Sequence, residues 1–105
     1  MSTCIFRPAA PGDEELILTF IRALADYEKM SDQVVATPEI LREWIFEKKT
    51  AEVIFAEAEG KAVGYALFFH NFSTFLGRAG IYLEDLFVLP EERGKGCGKA
   101  LLKEL

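Results

Sequence analysis

Arg93-Gly94-Lys95-Gly96-Cys97-Gly98-Lys99 constrains this chain more than any other stretch. It follows an apolar segment, Ile81 to Val88, and opens onto the helix-like run Ala100-Leu101-Leu102-Lys103. Alternate glycines at a strand-to-helix junction let backbone N–H groups converge on an anion without obstruction by Cβ atoms. The unpaired amides and the positive end of the helix dipole then favour phosphate. Charge is concentrated at the same place. Arg93, Lys95, Lys99 and Lys103 stand with no acid among them, whereas residues 1–92 hold 8 basic against 16 acidic side chains. A cationic, glycine-rich helix start in an otherwise acidic protein points to a phosphorylated ligand.

The rest of the composition sets bounds. A chain of 105 residues is one small domain at most. Half of it is hydrophobic, with nine Phe, so a packed core is expected. A net charge of −5 argues against nucleic acid as a general partner, because most of the surface repels phosphate backbones. No apolar run approaches the roughly 18 residues that mark a membrane span. Arg7, Asp13, Glu14 and Glu15 interrupt any leader-like segment. Two cysteines, Cys4 and Cys97, make no disulfide framework, so free thiols in a reducing, cytoplasmic setting are expected.

The patterning predicts the order β-α-α-β-β-β-α. Cys4-Ile5-Phe6 reads as a first strand. Asp13 reads as an N-cap, with Glu14 and Glu15 in the first turn. Leu16, Ile17, Phe20, Ile21 and Leu24 recur at the spacing of one buried helical face, which fades near Tyr27 to Met30. Thr37-Pro38 starts a second helix, with Ile40, Leu41, Trp44 and Ile45 as its buried stripe. Val53 to Ala56 and Val63 to Phe69, joined by Glu59-Gly60-Lys61, read as an antiparallel hairpin. Ser73 to Gly80 reads as a loop, and Gly80 to Val88 as a long strand stopped by Pro90. A last helix of about nine residues is marginal alone, and the last strand would lack a partner on one edge. The expectation is therefore a single domain over 1–105 that is the N-terminal part of a larger one.

Two nucleotide motifs fail. The P-loop needs Gly-x-x-x-x-Gly-Lys-Ser/Thr, but Arg93 and Ala100 occupy its first and last positions. The dinucleotide pattern Gly-x-Gly-x-x-Gly ends on Lys99 instead of glycine, and Glu84-Asp85 interrupts the apolar strand such a motif follows.

Taken with its strand, the loop is more specific. Tyr82-Leu83-Glu84-Asp85-Leu86-Phe87-Val88, then Pro90, Arg93, Gly96 and Gly98, resembles the acetyl-CoA signature Arg/Gln-x-x-Gly-x-Gly/Ala of the GCN5-related N-acetyltransferase (GNAT) superfamily. Arg7-Pro8-Ala9 and the run from Leu24 to Val34 are similar to the diamine acetyltransferases within it, those of spermidine/spermine and of thialysine. The resemblance implies an α/β (α+β) acyl-CoA N-acyltransferase fold, a mixed, mostly antiparallel sheet flanked by helices. It implies acetyl-CoA as cosubstrate, no metal, a small amine acceptor (polyamine or lysine-like) and a homodimer.

Residue by residue, the resemblance implies that Arg93, Gly94, Lys95, Gly96, Cys97, Gly98 and Lys99 hold the pyrophosphate. Backbone groups of Leu86, Phe87 and Val88 hold the pantetheine arm, one amide polarising the thioester carbonyl. An alkylammonium has a pKa of about 10, so a nearby carboxylate attracts it and takes its proton. Glu84 is assigned that role. Neighbouring strand residues face opposite ways, so Asp85 is expected to serve a structural bond instead. Tyr27 and Glu28 would line the amine pocket. Cys97 has no base beside it for covalent catalysis, and His70, the lone histidine, reads as a sheet residue. The tyrosine general acid of the family belongs to a segment similar to Asn-x-x-Ser-x-x-Phe-Tyr, which these 105 residues lack. Tyr65 and Tyr82 are not its substitutes. Weak or absent turnover is therefore expected of the chain alone. The alternative is a non-catalytic CoA-binding or interaction module.

Overall fold

The computed structural model describes residues 4–90 and 96–104. Four strands form one antiparallel sheet in the order of the chain: β1 (Ile5–Pro8), β2 (Glu52–Ala58), β3 (Lys61–Ser73) and β4 (Arg78–Val88). Helices α1 (Glu14–Tyr27) and α2 (Pro38–Leu41) lie between β1 and β2, and α3 (Cys97–Glu104) follows β4. The predicted order holds throughout.

Strand alternation separates two cores. Val53, Phe55, Tyr65 and Phe87 turn to one face and pack with Ile17, Leu18 and Phe20 of α1 and with Leu41 and Ile45. Ala56, Ala58, Val63, Ala66 and Val88 turn to the other, where Cys97 and Leu101 of α3 cover them. Small residues dominate the second face, which brings α3 close to the sheet. Gly64 makes a different close approach: a Cβ there would stand 2.8 Å from the Phe87 carbonyl oxygen, so only glycine fits opposite Val88 in the register.

Local chemistry explains the boundaries. β2 and β3 are joined by Glu59 and Gly60, both at positive φ (54° and 82°), the turn whose twist matches the flanking strands. Thr37 caps α2 as expected, its Oγ1 accepting from the Ile40 N–H at 3.2 Å, with Pro38 in the first turn. β3 and β4 run further than the apolar pattern suggests. The expected loop over Ser73 to Gly80 shrinks to a tight turn, with Gly77 at φ 67°.

Three expectations are corrected. Asp13 precedes α1 but does not cap it with its side chain. Its carboxylate instead accepts from the Ala10 N–H and from Arg7 Nη1, both at 2.8 Å. The Arg7 guanidinium holds the Asp13 carboxyl below the ordinary carboxylate range. Neighbouring Glu14 is buried, takes the Gly12 N–H at 3.0 Å and pairs with Arg42 at 3.2 Å. Second, the stripe of the second helix is half wrong. From Arg42 to Glu47 the chain winds as a π-helix, whose wider turn leaves Leu41 and Ile45 buried but Ile40 and Trp44 half exposed. Lys48 then covers the Trp44 ring from 4.2 Å. Third, Cys4 and Cys97 are not free thiols. They are joined by a disulfide, with Cα atoms 5.8 Å apart. A separation of 93 residues gave no hint of it, because only the laying of α3 across the alanine-rich face brings the two together.

Candidate active site

β4 carries the central feature. Its register against β3 steps by one residue: Leu67 faces Asp85 but Phe68 faces Leu83, leaving Glu84 as an extra residue. Such a bulge breaks alternation and re-aims side chains. Leu83 and Leu86, three apart, consequently share the α3 face. The bulge removes the regular alternation on which the expected opposite facing of Glu84 and Asp85 rested. Asp85 turns toward α1, half-buried, and accepts a hydrogen bond from the Tyr65 hydroxyl at 2.8 Å. Glu84 is exposed and makes no side-chain hydrogen bond among the described residues.

Tyr65 is fully buried on β3, its ring stacked on Phe20 at a centroid distance of 5.5 Å. Burial pushes its hydroxyl pKa far up, and the charges of Asp85, Glu28 and Glu84 add to the shift. Three carboxylates from two separate elements thus act on one buried hydroxyl. Tyr65 stays protonated and is committed as a donor to Asp85. The expectation that it is no general acid agrees with this arrangement. Tyr82 is half exposed and stacks on Phe69 at 5.0 Å.

The end of α1 forms the opposite wall. Glu28 closes the helix, its N–H bonded to the Leu24 carbonyl at 3.0 Å, and Lys29 follows at φ 59°. Tyr27 is exposed on its outer side, with its ring 6.3 Å from that of Phe87. Glu28 and Asp85 line one depression of 200 Å³, with Ile21, Leu24, Met30 and Val34 as its apolar wall. An acid pair over aliphatic side chains suits a cation carried on methylene groups: the ammonium meets charge, and the chain meets apolar surface.

Beyond the end of β4, Arg93, Gly94 and Lys95 lie outside the described residues. The structure resumes at Gly96, at φ 84°, a conformation that favours glycine. The first helical bond of α3 runs from the Ala100 N–H to the Gly96 carbonyl at 3.0 Å. Cys97 is buried, a Cβ added at Gly98 would meet Val88 Cγ2 at an ordinary 3.6 Å, and Lys99 is exposed. Leu86, Phe87 and Val88 pair with Ala66, Tyr65 and Gly64, so the strand leading to the helix start is firmly set in the sheet. His70 is remote from this chemistry: it is exposed on β3, with Nε2 2.8 Å from Glu52.

Residues 18–105 match the model of the Acetyltransferase (GNAT) family. The chain belongs to the GNAT acetyltransferases. Among curated GNAT relatives, thialysine N-epsilon-acetyltransferase of Sus scrofa is 41% identical over 114 aligned positions, covering 100% of this chain and 66% of that protein. A spermidine/spermine N(1)-acetyltransferase-like protein 1 of Homo sapiens is 32% identical, covering 94% of this chain and 15% of its own length. Among solved GNAT folds, a predicted acetyltransferase of Clostridium acetobutylicum, determined with acetyl-CoA, superposes with a TM-score of 0.78 at 16% identity, over 97% of this chain and 70% of that one. The chain thus spans just under two thirds of the thialysine enzyme it resembles.

The structure places Tyr27 and Glu28 at the end of α1 and Glu84 at the bulge of β4; of the three, Glu28 lines the depression. It adds two residues to that set, Tyr65 and Asp85. Asp85 makes the structural bond expected of it and also lines the depression. Tyr65 gave no signal of its own, being one of many aromatic residues in a strand pattern.

Proposed function

We propose that this chain binds acetyl-CoA and directs acetyl transfer to a small amine, a diamine or a lysine-like amino acid. The observation that carries the reading is that Glu28 and Asp85 line one depression with an aliphatic wall, Asp85 being held there by the Tyr65 hydroxyl. Glu28 and Asp85 attract the ammonium, and Ile21 and Leu24 receive its methylene chain. Tyr65 holds the Asp85 carboxylate in place. Glu84, exposed and without a hydrogen-bond partner among the described residues, takes the proton that must leave before nitrogen attacks the thioester. The nitrogen–carbonyl bond then forms as the carbon–sulfur bond breaks, and CoA leaves as thiolate.

The helix start at Gly96 to Lys99, preceded by Arg93, Gly94 and Lys95, would hold the pyrophosphate through amides and charge. Leu86 to Val88 would flank the pantetheine arm. Acetyl-CoA itself supplies the activated acyl group. Tyr65 is committed to Asp85 and does not supply the proton the departing thiolate takes up, so turnover by the 105-residue chain should be slow. Incubation with radiolabelled acetyl-CoA and a panel of amines tests the proposal. Label should pass to spermidine or thialysine and not to a monoamine lacking a second polar group. Label on none of them, with CoA bound, would leave a cofactor-binding module as the correct reading.

A further inference from the structure

Cys4 and Cys97 sit at opposite ends of the sequence but at one place in the fold. Cys4 immediately precedes β1, the far edge strand of the sheet, and Cys97 is the first residue of α3. Their Cα atoms are 5.8 Å apart, within the range a disulfide requires. The bond therefore fastens the start of α3 to the opposite edge of the sheet, across Ala56 and Ala58. Helix α3 has eight residues, and its second-face packing rests on Cys97 and Leu101. A helix that short does not hold itself together in water.

We propose that the Cys4–Cys97 pair is a redox latch on the cofactor-binding helix start: oxidised, it holds Gly96 to Lys99 in the binding conformation; reduced, it lets that end fray. The cofactor half of this inference rests on the acetyl-CoA reading above. Exposure decides how the latch closes. Cys4 is partly exposed and Cys97 is buried, so the Cys4 thiolate attacks a small-molecule disulfide, glutathione disulfide being the natural class. One glutathione thiolate departs, leaving a mixed disulfide on Cys4. The Cys97 thiolate then attacks the Cys4 sulfur and expels the second glutathione. The protein loses two electrons and two protons, and one glutathione disulfide becomes two thiols.

The test uses the 105-residue chain oxidised, the same chain reduced with dithiothreitol, and Cys4→Ser. Without ligand, reduction should lower Tm by at least about 8 °C, because the closed loop is long. Amide exchange should quicken at 98–102. CoA affinity measured by calorimetry should fall about threefold, as for a site ordered in one molecule out of three. Cys4→Ser should match the reduced protein and ignore dithiothreitol. Equal melting and equal exchange of oxidised and reduced protein would overturn the latch. Unequal melting with equal CoA affinity would overturn its link to the cofactor. Failure of CoA to bind either form would instead sink the acetyl-CoA reading, with melting and exchange still deciding the latch.

Discussion

Replacing Glu84 by Gln should reduce acetyl transfer to a diamine about a hundredfold at neutral pH, in the range general-base catalysis supplies. The substitution keeps the shape of the side chain and its place at the bulge. It removes a carboxylate that is exposed and makes no side-chain hydrogen bond among the described residues. Asp85 is held by the Tyr65 hydroxyl at 2.8 Å and serves in this reading as a binding charge. The pH profile separates a base from a mere structural acid. As the pH approaches the amine's own pKa of about 10, solution supplies deprotonated amine and the deficit of the variant should shrink. A structural role would give a loss that does not change with pH. Radiolabel incorporation at saturating amine, from pH 7 upwards, reads the difference.

Phe55→Ala should destabilise the fold by about 3–5 kcal/mol. Phe55 is wholly buried at the centre of β2. Its ring lies 6.0 Å from that of Phe20, and the Arg7 guanidinium covers it from 5.0 Å. Truncation empties the space between sheet and α1 and removes the platform under Arg7, which also holds Asp13 and Glu57. Small domains keep roughly 5–15 kcal/mol in total, so the variant should sit near the edge of folding. Urea denaturation followed by circular dichroism gives the number. A loss below about 1 kcal/mol would mean that the face between α1 and the sheet is not the main core.

The elements were readable because each carried two agreeing signals. Thr37-Pro38 supplied both a cap and a proline at a helix start, and Glu59-Gly60 supplied a turn between two β-rich runs. Leu16 to Leu24 kept helical spacing without interruption. What escaped the sequence depends on contacts between distant residues. The bulge at Glu84 follows from how β4 meets β3, and it removes the alternation expected of Glu84 and Asp85, while Asp85 shares one depression with Glu28. The π-helical stretch that exposes Trp44 has no local sequence mark. Asp13 looks like a cap until Arg7, brought alongside by β1, claims it. The cysteine pair is the extreme case: nothing near Cys4 or Cys97 announces the other.

The candidate site was legible in strand β4 and in the helix start at Gly96, because the motif follows chain order along β4 into α3. Its amine half was not, since the wall made by Ile21, Leu24, Met30 and Val34 depends on how the end of α1 lies beside β4.

The central claim is that the glycine-rich helix start and the strand before it hold acetyl-CoA. Thermal melting of the oxidised 105-residue chain with and without CoA tests it most directly. At a concentration 100 times the dissociation constant, CoA should stabilise the protein by about 2.7 kcal/mol. For a domain of this size that raises Tm by roughly 10 °C or more. An unchanged Tm at millimolar CoA, in a sample that melts cooperatively, would contradict the account.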